Sequence, residues 1–266
     1  MSMDSRPKNA SLWRADLTVT GQQGDATVQW QVPEEAPVAL IYNGLTFAVM
    51  LASPTDLDDF ITGFSLTEGI VDGPADISRV ELRERRQGID IHVTVSARCF
   101  ERLSLRQSRR SMEGRTSCGL CGIESAERLF ESLAPVAAHP KALDVGVVTK
   151  ATEALEKMQP LRALNKSVHG AAFVNADGVV MLVREDVGRH NALDKLIGAI
   201  VREGLDASDG FVLMTSRASF EIVEKAARSG VTALVALSAP TGFAIRRAGE
   251  ANMTLANFTR GVLTVF

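Results

Sequence analysis

Two of the chain's three cysteines stand close together in Gly114-Arg115-Thr116-Ser117-Cys118-Gly119-Leu120-Cys121-Gly122, with glycines flanking and separating them. Glycine lets the backbone adopt positive φ and lets another molecule's atoms approach the sulfurs closely. Ile123, Ala126, Phe130 and Leu133 recur at helical spacing, which places Cys121 near a helix N-terminus, where dipole and free amides favour thiolate over thiol. Arg102, Arg106, Arg109, Arg110 and Arg115 outnumber Glu101 and Glu113 in the approach to the pair. Such charge lowers a thiol pKa further and invites anionic partners. A C-x-x-C pair is open to four readings: half of a zinc site, a redox disulfide, a nucleophile with its helper, or two ordinary loop cysteines. Zinc needs four ligands, and beyond the pair only Cys99, His92, His139, His169 and His190 offer sulfur or nitrogen, with no second C-x-x-C or H-x3-H. No metal site is expected, and reactive sulfur chemistry is the favoured use of the pair.

A second cluster, Glu185-Asp186-Val187-Gly188-Arg189-His190-Asn191, packs charged and polar residues around one glycine between a strand and a helix. Its bland reading is a helix cap from Asp186 or Asn191 with a solvated face. Its functional reading is a polar site floor in which His190 and Asp194, one helical turn apart, share a face and a proton. His169, just ahead of a strand, is a further candidate. Three hydroxyl-bearing loops, around Thr215-Ser216-Arg217-Ala218-Ser219, Ser238-Ala239-Pro240-Thr241-Gly242 and Asn257-Phe258-Thr259-Arg260-Gly261, fall at the carboxyl edge of the expected sheet. Ligands of open α/β sheets lie in that crevice, and helix N-termini there suit phosphate. No G-x-G-x-x-G or G-x-x-x-x-G-K-[ST] occurs, which disfavours a dinucleotide dehydrogenase or a P-loop NTPase.

The elements that must position these residues follow from periodicity. Residues 1–12 are polar and read as a disordered tail. A small α+β domain over 13–110 is expected from strands at 27–32, 38–42 and 45–51, an Asn43-Gly44 turn, a helix from Leu57 to Gly69 with Thr55 and Asp58 as a capping pair, and strands at 80–82 and 89–95. The thiol loop, its helix and a proline-bounded linker occupy 111–140. From 141 to 266 an α/β domain is expected: a helix over 148–158 stopped by Pro160, a hairpin of 171–174 and 179–183 across Asn175-Ala176-Asp177-Gly178, then alternating helices and strands. That alternation implies a mixed, largely parallel sheet. A formal charge of −3 argues against a nucleic-acid-coating protein, and no segment reads as a signal peptide or a membrane span. A cytoplasmic protein with no membrane partner is expected, its three cysteines suiting a reducing compartment.

Cys118-Gly119-Leu120-Cys121-Gly122, Gly63-Phe64-Ser65-Leu66-Thr67-Glu68-Gly69-Ile70, Glu185-Asp186-Val187-Gly188-Arg189-His190-Asn191-Ala192-Leu193-Asp194-Lys195, Ser216-Arg217-Ala218-Ser219 and Ser238-Ala239-Pro240-Thr241 together resemble the FdhD family of formate dehydrogenase accessory sulfurtransferases. The resemblance runs from about Pro37 to Gly261 in one order. It implies a cytidine-deaminase-like second domain and a sulfur carrier that takes persulfide sulfur from a cysteine desulfurase. The sulfur passes to the molybdenum cofactor (Mo-bis-MGD) before that cofactor enters formate dehydrogenase. Deamination itself is not expected, because the metal signature is missing: Ala171 stands where a glutamate follows His169, with no Pro-Cys-x-x-Cys downstream. On this resemblance Cys118 accepts the sulfur and Cys121 assists. Phe258, Thr259, Arg260, Gly261, Val262 and Leu263, with Ser216, Arg217, Ser219, Ser238 and Thr241, contact the cofactor; GDP mimics its nucleotide half, and the Phe258 ring is offered to the purine. His169, Asp186, Arg189 and His190 form a further polar site, and a homodimer is implied. The alternatives are a dithiol oxidoreductase and a non-enzymatic cofactor-insertion chaperone.

Overall fold

The computed structural model describes residues 12–110 and 132–266, with side chains for 12–105 and 132–266. Cys118 and Cys121, the helix expected after them, Arg115 and the side chains of Arg106, Arg109 and Arg110 lie outside the described residues. Leu133, the last position of that expected helical pattern, falls in an irregular segment and packs into the second core. From Leu12 onward the chain is tied down: its amide donates to Glu84 Oε2 at 2.6 Å and Trp13 Nε1 to the Arg85 carbonyl at 3.0 Å.

The first half begins with an antiparallel hairpin, β1 (Asp16–Gln23) and β2 (Ala26–Pro33), of which β1 was not foreseen. β3 (Ala36–Tyr42), β4 (Leu45–Ala52), β5 (Ile77–Arg85) and β6 (Gly88–Val95) form a sheet in the order β4-β3-β6-β5, parallel only between β3 and β6. Strict alternation puts Ala36, Val38, Leu40 and Tyr42 inside. Asn43 and Gly44, at φ 46° and 87°, turn β3 into β4 as that dipeptide demands. Helix α1 (Leu57–Thr67) buries Phe60, Ile61 and Phe64 and ends where Gly69 takes φ 62°. The expected Thr55/Asp58 cap is absent. Asp56 occupies the N-cap in the left-handed region at φ 52°, without a side-chain cap bond, so Thr55 precedes the cap. The arginine-rich approach to the cysteines is a helix as far as it is described, α2 (Ala97–Arg110), anchored by buried Cys99 and Leu103 four residues apart. Cys99, Phe100 and Leu103 fall on one apolar face, a helical signal that the sequence carries. Arg102 is turned to Asp72 at 2.9 Å and to the Ile70 carbonyl at 2.9 Å.

The second half is layered. α3 (Val145–Lys157), capped by Asp144, is followed by the short α4 (Pro160–Asn165). Pro160 therefore opens a helix rather than stopping one: its fixed φ suits the first helical position, and α3 has already ended at Lys157. β7 (His169–Asn175), β8 (Val180–Asp186), β9 (Gly210–Arg217), β10 (Ala233–Ser238), β11 (Thr254–Thr259) and β12 (Val262–Val265) form a sheet in the order β12-β11-β10-β9-β7-β8. It is parallel through β9, β10 and β11 and antiparallel at both flanks, where β12 is a strand the sequence did not announce. Period-two alternation splits the strands between two cores. Ala171, Phe173, Val212, Met214, Leu234 and Leu255 meet α5 (Arg189–Arg202), α6 (Phe220–Arg228) and α7 (Gly242–Glu250); Ala172, Val174, Phe211, Leu213, Val235 and Phe258 meet α3. No helix among the described residues is long and apolar enough to cross a membrane.

The halves meet where α1 crosses α5. A Cβ placed on Gly63 would lie 1.7 Å from the Asp194 carbonyl oxygen, and one on Gly198 would lie 1.9 Å from that of Asp59, so the backbones themselves are in contact. With the sheet on one side and α1 on the other, α5 is buried continuously from Asn191 to Ile200, charged residues included.

Candidate functional site

Strand direction collects the residues singled out from sequence. β8, β9, β10 and β11 end, and β7 and β12 begin, at one edge of the sheet. The register pairs His169 with Asp186, Arg217 with Ser238 and Thr259 with Val262 along that edge. α5, α6 and α7 start there, each following a strand end. Ser216, Arg217, Ser219, Ser238, Thr241, Thr259, Arg260, His169, Asp186, Arg189 and His190 are thus brought to one side of the second half.

The side chains at this edge differ in what they have left to offer. Arg217 and Arg260 are exposed and make no ion pair among the described residues. Arg260 and Gly261, at φ 53° and 77°, form the turn between β11 and β12. Thr241 accepts from the Ala244 amide and caps α7, the bland role open to it. Ser219 does not cap α6; its hydroxyl donates to Glu221 Oε2 at 2.8 Å. Ser216 is buried and donates to the Arg217 carbonyl. Phe258 departs from expectation. Its ring packs into the core under α3, because β11 directs that side chain inward, and so offers no open face to a purine.

Asp186 is also committed. Lys195 Nζ lies 2.7 Å from its Oδ2, the Ser53 amide donates to that oxygen at 3.0 Å, and Oδ1 takes the Gly188 amide and Asn191 Nδ2. Both members of the ion pair are fully buried, and Lys195 donates its remaining protons to the Ser53 and Glu185 carbonyls. Breaking such a pair on one side costs about 3–5 kcal/mol. The proton shared between His190 and Asp194 does not exist either. Asp194 faces α1 and α6, taking Thr67 Oγ1 at 2.7 Å and Lys225 Nζ at 3.0 Å on both oxygens, while Glu68 holds the same ammonium at 2.9 Å. Burial penalises the Lys225 charge, but Asp194 and Glu68 outweigh it and hold its pKa above the ordinary lysine value. Gly63, Thr67, Glu68, Asp186, Asn191, Asp194 and Lys195 therefore lock the two halves together. Nothing in the sequence singled out Lys225, which reads as one more cation on the polar face of α6.

What remains is a set of buried side-chain polar atoms. His169 Nδ1, Arg189 Nε, His190 Nε2 and both polar atoms of the Gln159 amide are buried without a hydrogen-bond partner among the described residues. Burial, then the charges of Arg162 and Arg189, pull the His169 pKa below its ordinary value. His190 Nε2 stands 3.5 Å from Glu221 Oε2. Among the described residues only Asp72, Asp76 and Cys99 converge closely enough for a metal ion, and Arg98 and Arg102 already pair with Asp72.

The FdhD/NarQ family profile matches residues 33–266. The chain is 48% identical over 240 residues to the sulfur carrier protein FdhD of Bordetella petrii, covering 90% of this chain and 85% of that one. It is 50% identical over 230 residues to the protein of that name from Cupriavidus necator, covering 86% and 79%. A crystal structure from Desulfotalea psychrophila, provisionally described as a formate dehydrogenase accessory protein, superposes with a TM-score of 0.71 at 22% identity over 94% of this chain and 95% of that one, a likeness of fold. The chain belongs to the FdhD/NarQ family.

Proposed function

We propose that this protein is a sulfur carrier serving formate dehydrogenase. Near-half identity along most of the chain to proteins named as sulfur carriers is the observation that carries the reading. In the chemistry we assign to it, a Cys118 thiolate attacks the terminal sulfur of a cysteine desulfurase persulfide. A sulfur–sulfur bond forms on Cys118 as the donor's breaks, and the donor leaves as its thiolate. Cys121, two residues on, assists or relays the sulfur. The recipient is the molybdenum cofactor, carried as cargo with its nucleotide half at the sheet edge, where Arg217 and Arg260 have charge to give and GDP serves as a probe. A cytoplasmic homodimer is the setting we infer.

Cys99 supplies an internal control, being fully buried with Arg102 Nη2 3.7 Å from its sulfur. After incubation with a desulfurase and free cysteine, peptide mass spectrometry should find one added sulfur on the peptide holding Cys118 and Cys121. Sulfur on Cys99 alone, or efficient disulfide reduction with no need of a desulfurase, would overturn the assignment.

A further inference from the structure

We propose that a cavity of about 550 Å³ on the α3/α4 face of the second sheet binds an organic cation, an ammonium or guanidinium group carried on a short apolar stem. The lead into β1, the turn before α1, the end of α3, α4 and β8 enclose it, so both halves of the molecule supply its wall. Successive residues of β8 point to opposite faces. Asp186 goes to Lys195 of α5, whereas Glu185 goes the other way and takes the Leu161 and Arg162 amides of α4 at 2.9 and 2.7 Å. The cavity therefore lies across the sheet from α5, α6 and α7.

Its lining defines the ligand. Asp16, Asp56 and Glu185 supply carboxylates, and no lysine or arginine is among the lining residues. Asp56 is poorly matched within the chain. It is the N-cap residue of α1 but makes no cap bond, and it reaches Arg184 Nε only at 3.8 Å, an arginine already held by Asp59 at 2.7 Å. Burial raises the Glu185 pKa, the α4 amides oppose that rise, and the Asp56 charge adds to it, so the two carboxylates repel and a cation between them relieves both. Gln159, flanked in the chain by the lining residues Met158 and Pro160, is 2% exposed with both amide atoms unpaired. It lies against Gly170, the register partner of Glu185, and so places an unused carbonyl acceptor beside that carboxylate. Met158, Leu161, Leu164 and Val183 form the apolar part of the wall, suited to a methylene stem whose charged head stays with the acids. A compact metal ion does not fit, because the oxygens of Asp16, Asp56 and Glu185 do not converge within 4.8 Å of one another.

Calorimetric titration of the full chain with pentylammonium tests the site. Methylammonium, which lacks the stem, and 1-pentanol, which lacks the charge, should each bind about tenfold or more weakly than pentylammonium. Asp16→Asn combined with Asp56→Asn should weaken pentylammonium about tenfold and leave 1-pentanol unchanged, a split that general loss of structure does not produce. Asparagine tolerates the left-handed backbone that Asp56 adopts at φ 52°, so the substitution removes charge without straining the turn. In the unsubstituted protein, pentylammonium should move the methyl resonance of Met158 and leave those of Met214 and Met253, in the core beneath α5 to α7, in place. Absence of binding at tens of millimolar pentylammonium, equal affinity for 1-pentanol, unchanged affinity in the double variant, or a still Met158 signal would overturn the proposal. A lysine blocked at both ends separates the sources: competition with pentylammonium assigns the cavity to a basic side chain of a polypeptide, and its absence assigns it to a free amine. No step of this rests on the sulfur-carrier reading, which the loading of Cys118 tests separately.

Discussion

Replacing Gly63 by alanine adds one methyl group where the crossing of α1 and α5 has no room for it. The new Cβ would stand 1.7 Å from the Asp194 carbonyl oxygen and 2.8 Å from the Gly198 amide nitrogen. Carbon and oxygen need roughly 3.4 Å or more, so the helices must part by more than about 1 Å at that point. Parting them strains the overpacked crossing at about 1–3 kcal/mol. It also lengthens the Thr67 and Lys225 contacts to buried Asp194, whose complete loss is worth about 3–5 kcal/mol. Against this stands a helix-propensity gain of about 1 kcal/mol. A net loss of about 3 kcal/mol follows if roughly half of the ionic contact is lost. For a chain of this length that lowers Tm by about 6 °C. Gly249 is the matched control: it is a helical glycine with nothing within 4 Å of its virtual Cβ, so Gly249→Ala should keep or slightly raise Tm. Calorimetric melts of the two variants side by side check the argument. A Gly63→Ala protein as stable as the parent would refute the backbone contact between the halves.

Lys225→Met should destabilise by about 3–5 kcal/mol in denaturant titrations, because Asp194 stays buried without its counter-ion, and Asp194→Asn in the same chain should recover part of that loss. Glu221 has a folded pKa of about 2 against an ordinary 4.5, so its stabilising contribution is complete above about pH 4.5 and fades as the pH falls toward 2. Glu221→Gln should flatten the stability profile in that acid window alone, and an unchanged acid limb would count against the His190 contact. Cys118→Ala should abolish sulfur loading and leave the melting temperature and GDP affinity intact. If formate dehydrogenase matured with this variant were fully active, the thiol would have no part in the function.

The sequence by itself determined the elements whose signal is local. The alternation in β3, the Asn43-Gly44 turn, the apolar stripe of α1 and the hairpin across Asn175 to Gly178 are written in neighbouring residues, because side-chain period and turn chemistry act over a few positions. It also determined the family, through motifs spread along the chain. Strands with weak alternation stayed hidden: β1 and β12 expose most of their residues. What each motif residue does was decided by tertiary structure. Asp194 and His190 share a helix and look like partners from their spacing, yet Asp194 faces Lys225 and Thr67 while His190 faces Glu221. Those partners lie 31 or more residues away in the chain, and no local spacing encodes them. Phe258 looked available and is core; Gly63 looked like any helical glycine and is the point where two backbones touch. The cost of burying a charge or a methyl group depends on what the other half of the molecule brings to the same place, and that is settled only when α1 lies across α5.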